Sequence, residues 1–325
     1  MRRRDFITLL AGTAAWPLTA RAQQPAMPVI GFLSGSGPAG RTHLVNAFRQ
    51  GVRESGYVEG QNVGIEYRWA QDQYDQLPDL AADLVRRQVT VIAATDTPSA
   101  TATKALNTTI PIVFTTGFDP VKGDLVASLN RPGSNMTGIY FMSNDLGQKQ
   151  LGLLHELLPG AVHITALVDP RWPNTEPFLS DIRVAASTIG KEIDILYAST
   201  SREIDTAFAN MAQKSADALL VGPSALTNNR RVQIVTHAAY RRVPTIYSLR
   251  ESAEAGGLMS YGTSITDAHR QTGIYVGRIL NGEKPANLPV MRSSKFEFII
   301  NLNTAKVFSL SFPPGLLAIA DEVIE

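Results

Sequence analysis

From residue 28 onward, short apolar runs rich in β-branched residues alternate with longer stretches whose apolar positions recur at helical spacing. The runs predict strands over 29–33, 63–69, 89–94, 112–115, 164–168, 193–197, 218–221 and 245–247. Amphipathic stretches at 43–55, 77–87, 148–158 and 203–214 predict helices between them. Buried strands alternating with helices specify an α/β protein with parallel sheets built from βαβ units.

The pattern occurs twice. "VIAATDTPSATATKALNTTIPIVF" reads as strand, polar turn, helix and a second strand entered through Pro111. "ALLVGPSALTNNRRVQIVTHAAYRRVPTIY" repeats that order and enters its second strand through Pro244. Two similar α/β lobes follow, 28–139 with 257–281 and 140–247 with 291–325, joined by crossings near 138–142, 248–256 and 282–290. Pro132 and Gly133 end the first lobe's last helix, which begins at Pro120 and runs through Leu125 to Leu129.

In an open parallel sheet, ligands bind beyond the carboxyl ends of the strands. That rule selects Ser34 and Ser36, Asp96 to Ser99 and Thr116 to Pro120 in the first lobe. In the second it selects Asp169 to Asn174, Ser224 and Tyr247. Pro98 suits the first helical position, which makes Thr97 the N-cap and turns first-turn amides towards the cleft as a carboxylate site, or as a plain cap. Ser224 presents the same choice in the second lobe. Asp119 could meet a ligand ammonium or cap the helix starting at Pro120, with Asp169 the competing ammonium partner. Phe118, Trp172, Tyr140, Tyr247 and Tyr261 could offer apolar faces or serve as packing.

The first 22 residues belong to a different pattern. Met1-Arg2-Arg3-Arg4 is followed by an apolar stretch to Leu18 and by Ala20-Arg21-Ala22, a twin-arginine-like export signal cleaved near Ala22. A periplasmic location follows. Without that leader the 30 basic and 29 acidic residues become 26 and 28, a net charge of −2, which gives no footprint for nucleic acid. The chain has no cysteine, its five histidines match no metal spacing, and no serine stands in G-x-S-x-G. No catalytic residue, metal or cofactor is expected.

Gly35-Ser36-Gly37-Pro38-Ala39-Gly40 does match the dinucleotide pattern G-x-G-x-x-G, so an exported nucleotide-dependent oxidoreductase is one alternative. Pro38 restrains Gly37, and the second strand ends in Arg68-Trp69 with no acid for a ribose. A ligand-sensing receptor ectodomain is the other alternative.

Five longer segments carry more information: "FRQGVRESGYVEGQNVGIEYRWA", "FDPVKGDLVASLNRPGSNMTGI", "GGLMSYG", "KFEFIINLNTAK" and "LLAIADEVIE". In this order they resemble the ABC-transporter substrate-binding proteins whose characterised members bind tryptophan and other aromatic amino acids. The resemblance covers 28–325. It implies a type I periplasmic binding fold, a monomer that closes on a small solute between its lobes and delivers it to an ABC permease. By position it implies cleft loops around Ser34, Asp96-Thr97-Ser99, Thr116 to Asp119, Asn174, Ser224, Tyr247 and Tyr261. The expected ligand is an amino acid or related carboxylate with an apolar or aromatic side group. Thr97 and Ser99 would hold its carboxylate, and Asp119 or Asp169 its ammonium.

Overall fold

The computed structural model describes residues 27–325 apart from 40, 72, 107, 142–145, 173 and 215. The expected export signal and Gly40 of the glycine pattern therefore lie outside the described residues. Along the chain, β1 (Val29–Ser34), α1 (Thr42–Glu54), β2 (Gly64–Trp69), α2 (Leu77–Arg86), β3 (Val91–Ala94), α3 (Thr97–Lys104), β4 (Ile112–Thr116) and β5 (Met136–Tyr140) build the first unit. The second contains α4 (Leu146–Leu157), β6 (His163–Val168), α5 (Thr175–Thr188), β7 (Glu192–Tyr197), α6 (Ser201–Gln213), β8 (Ala218–Val221), α7 (Ala225–Asn229), α8 (Arg231–Arg241), β9 (Thr245–Tyr247), α9 (Arg250–Glu254) and β10 (Met259–Thr263). The chain then returns through α10 (Ile265–Leu280) and β11 (Met291–Arg292), and ends with β12 (Phe296–Asn301), α11 (Leu302–Phe308), α12 (Pro314–Ala318) and β13 (Glu322–Ile324).

The strands form two sheets, ordered β11-β5-β4-β3-β1-β2 and β13-β12-β10-β9-β8-β6-β7. All pairs are parallel except β10 with β12. In each sheet the first strand of the lobe lies between the second and the third, so strand order reverses beside it. That reversal opens a crevice at the carboxyl ends, between β1 and β3 in one lobe and between β6 and β8 in the other.

Helices cover both faces of each sheet, which is why the central strands are apolar throughout rather than alternating. Phe32, Phe48 and Val276 pack on one face of the first sheet and Leu84, Ile92 and Phe114 on the other. In the second lobe, Phe178, Leu154 and Phe298 fill one face and Phe208, Leu219 and Ile234 the other. α10 docks on α1 backbone to backbone: a Cβ on Gly51 would stand 1.9 Å from the Arg270 carbonyl oxygen, and one on Gly273 2.2 Å from that of Phe48.

Three expectations need correction. Residues 257–281 do not return to the first lobe as one piece. Met259 and Ser260 pair with Ile246 and Tyr247, so β10 stays in the second sheet and the chain crosses just before α10. At the next crossing, Met291 and Arg292 still pair with Ile139 and Tyr140 of the first sheet, so the second lobe resumes after Arg292. No helix runs from Pro120 to Leu129; Asp124 takes a left-handed φ of 54°, which interrupts helical hydrogen bonding, and the segment folds as turns.

Candidate functional site

At the first crevice, Asp96 ends β3 and starts α3. Its extended backbone makes it the N-cap, with Thr97 already helical, one residue earlier than the proline spacing implied. Its Oδ1 accepts from the Ser99 amide (2.9 Å) and hydroxyl (2.6 Å). Its Oδ2 accepts from the Ser34 hydroxyl (3.0 Å) and the Gly35 amide (2.6 Å) on the β1 loop. One carboxylate thus ties two loops together, and Ser34 in turn accepts from the Ser36 amide at 3.3 Å.

Two sequence readings change. The Ser99 groups expected to hold a ligand carboxylate already hold Asp96, because a capping acid outcompetes a distant anion for the same donors. The glycine-pattern turn directs its Gly35 amide at a carboxylate, so a pyrophosphate there would meet a negative charge. The dinucleotide alternative loses its anion site.

What Asp96 leaves available is Thr97, half-buried, whose hydroxyl lies 3.0 Å from that of Thr116 and accepts from the Gly117 amide at 3.3 Å. Asp119 accepts the Val121 and Lys122 amides through Oδ1 at 2.9 and 3.3 Å. It caps a turn, not a helix, and its Oδ2 remains for a ligand. Phe118 faces its own lobe: a Cβ on Gly123 would lie 1.7 Å from its ring. Tyr74, absent from the sequence reading, lies against Gly35 and is 41% exposed, an aromatic face at this rim.

The second crevice is built differently. Asp169, at the end of β6, accepts the Arg171 amide (3.0 Å) and Nε (3.2 Å). Its carboxylate is already matched by a cation, which removes it as the better ammonium partner. Ser224 and Thr227 form a reciprocal capping box at the start of α7, at 3.0 Å in each direction. The Ser224 hydroxyl therefore has its partners within its own helix. Asn174 occupies the N-cap of α5 without a capping bond and is half-buried, so its amide is available.

Of the expected aromatic faces, Tyr140 (6% exposed) and Tyr247 (2%) are core residues, and burial pushes the Tyr247 phenol pKa up. Their rings fill the space between sheet and helices. Trp172 and Tyr261 are half-buried; Trp172 meets Phe178 edge-on at 6.1 Å and Tyr261 stacks on Phe296 at 6.1 Å. Each retains surface beside the second crevice or the crossings.

Three further groups were not singled out in the sequence. Gln150 is fully buried and donates to the Tyr261 carbonyl (2.8 Å) and the Ser248 hydroxyl (3.3 Å), bracing the ends of β9 and β10. His269 is 4% exposed, with Nδ1 2.9 Å from the Ile265 carbonyl oxygen; burial pulls its pKa down to about 4 despite that bond and the nearby Asp96. His43, in the first turn of α1, reaches across to Glu251 in the first turn of α9, 3.3 Å from Nε2 to Oε1. A polar residue in an amphipathic helix carries no signal of a partner 208 residues away.

A family model described as ABC transporter substrate binding protein matches residues 27–324. The chain belongs to that family. A tyrosine-binding protein of Clostridioides difficile (strain R20291) is 28% identical over 264 residues, spanning 81% of this substrate-binding protein and 75% of the relative. A Streptococcus pneumonia ABC domain solved in complex with L-Trp is 24% identical, with a TM-score of 0.77 over 91% of this chain and 100% of that one. A conserved domain protein from Vibrio cholerae O1 biovar eltor str. N16961 gives 24% identity and a TM-score of 0.79, over 91% and 99%. The α/β fold with two sheets is that of a type I periplasmic binding protein, as the sequence implied. Among the described residues, no helix is long and apolar enough to cross a membrane, and no group of three or more His, Asp or Glu could hold a metal ion.

Proposed function

We propose that this chain is a non-catalytic receptor for an aromatic amino acid, exported to the periplasm, where it presents the ligand to an ABC permease as a monomer. The observation that carries the reading is the pair of opposed sheet-end crevices, polar at their loops and rimmed by rings, in a chain of this family. The tyrosine-binding relative and the tryptophan-bound structure support the ligand class.

Thr97, Thr116 and Asn174 offer the ligand carboxylate hydroxyl and amide donors. Asp119 Oδ2 accepts from the ammonium. Tyr74, Trp172 and Tyr261 cover the side chain, where edge and face contacts favour an aromatic group. Binding energy then shifts the balance from open to closed lobes.

The test is titration calorimetry with L-tryptophan, L-tyrosine and L-phenylalanine, alongside thermal melts. At a hundred times its dissociation constant, a true ligand stabilises by about 2.7 kcal/mol. Heat and stabilisation from a sugar panel, with none from the three amino acids, would overturn the ligand class.

A further inference from the structure

We propose that His43 and Glu251 are positioning residues that latch the two lobes across the cleft, favouring the closed arrangement. The inference rests on the receptor reading above, because a latch matters only in a protein that opens and closes.

The topology places the pair there. α1 leaves the carboxyl end of β1 and α9 leaves that of β9, so their first turns stand on the rims of opposite lobes. The chain passes between the lobes at the crossings between β5 and α4, at Ser264 before α10, and between β11 and β12. Rotation about those segments would draw α1 away from α9 and separate His43 from Glu251.

The energetics are lopsided. The Glu251 side chain is 15% exposed and its Oε2 is sealed from water without a partner, whereas His43 is 36% exposed. Bringing the lobes together therefore removes a carboxylate from water, which is costly unless a cation faces it. Burial alone would raise the Glu251 carboxyl, but the His43 hydrogen bond, its own backbone N–H and the charges of His43 and Arg231 hold it below the usual carboxylate range.

Arg231 acts on Glu251 from its own lobe, which leaves His43 as the partner across the cleft. Arg250 is engaged by Glu254, Glu297 and Glu322, and Arg270 by Asp267 and Glu54. Arg250, Glu254, Glu297, Asp267, Arg270 and Lys295 line a crevice of about 490 Å³ beside the crossings that also reaches His43. On the first-lobe side, Arg41 and Asp96 act with His43 on the neutral, buried His269. Glu251 meets the opposite lobe through its hydrogen bond with His43. Removing the imidazole leaves the acid without that bond, whereas removing both partners removes the desolvation cost as well.

The absence of cysteine permits a direct test. Lys104→Cys and Arg202→Cys place dyes on exposed positions of α3 and α6, one on each lobe, and single-molecule energy transfer reads the closed fraction without any ligand. His43→Ala is expected to lower that fraction about tenfold, and His43→Ala with Glu251→Ala to restore it to within about twofold. His43→Gln, which keeps a hydrogen-bonding side chain, is expected to retain more of the closed fraction than His43→Ala. An unchanged closed fraction in His43→Ala, melting cooperatively, would overturn the latch, as would a closed fraction in the double variant that stays as low as in His43→Ala. If these trends hold while L-tryptophan and L-tyrosine fail to bind, the latch stands and the ligand class fails.

Discussion

The two crevices share a strand order but not a way of fastening their loops. In the first lobe, Asp96 reaches out of its own helix to hold the β1 loop, and Thr97 reaches the β4 loop, so three strand ends move as one. In the second, Asp169 turns to Arg171 two residues away and Ser224 to Thr227 three residues away. A duplicated topology therefore gives one rim whose acid bridges two loops through four hydrogen bonds, and one whose acid is held mainly by its own loop, with the Ser199 hydroxyl after β7 at 3.5 Å. Damage at Asp96 should therefore spread further than damage at Asp169.

Asp96→Ala breaks that contrast most severely. Four donors from Ser34, Gly35 and Ser99 lose their acceptor in a partly buried site. The expected cost is about 2–4 kcal/mol of unfolding free energy in urea melts, with loss of ligand binding. Asp169→Ala, whose partner Arg171 is 62% exposed, should cost about 1 kcal/mol; equal losses would remove the distinction.

His269 adds a pH dependence on the first-lobe side. Its folded pKa, about 4, lies below the ordinary histidine value, so the unfolded chain takes up the proton first. The stability of the neutral, buried ring is present above the unfolded value and is lost as pH falls towards the folded one. Between pH ~6.5 and ~4 the slope from this residue approaches about 1.4 kcal/mol per unit, measurable as falling urea midpoints. His269→Gln should flatten the curve, and an equal slope in that variant would place the titration elsewhere.

Ser224→Ala removes one half of a capping box and should cost about 1 kcal/mol, with ligand affinity unchanged because the hydroxyl is already engaged. A loss of more than about tenfold in affinity, some 1.4 kcal/mol, would return Ser224 to the ligand surface. The smallest effect is expected of Arg171→Ala, at about 0.5 kcal/mol or less in a thermal melt.

Much of this molecule is legible in its sequence where chemistry is local. β8 and β9 fall on the strands expected at 218–221 and 245–247, and α1 and α2 lie within a residue of the expected helices, because apolar periodicity reports burial directly. β5, β10 and β12 escaped, since glycine, serine or charged residues interrupt their apolar runs: Gly138 in β5 and Gly262 in β10 sit where a Cβ would strike the Phe114 and Ser248 carbonyls. The strand-end rule selected Asp96, Thr97, Asp119 and Ser224, yet could not assign their partners.

The sequence by itself determined the family, the α/β alternation and its duplication, because each is written in residues close together along the chain. Tertiary structure alone decided which polar groups remain available. Whether Ser99 serves a ligand depends on where the Asp96 carboxylate turns. Whether Tyr140 is a wall or a core residue depends on which helix covers it. The meeting of His43 with Glu251 depends on how two lobes approach, and no local pattern records a distance between helices that the chain joins only through a distant crossing.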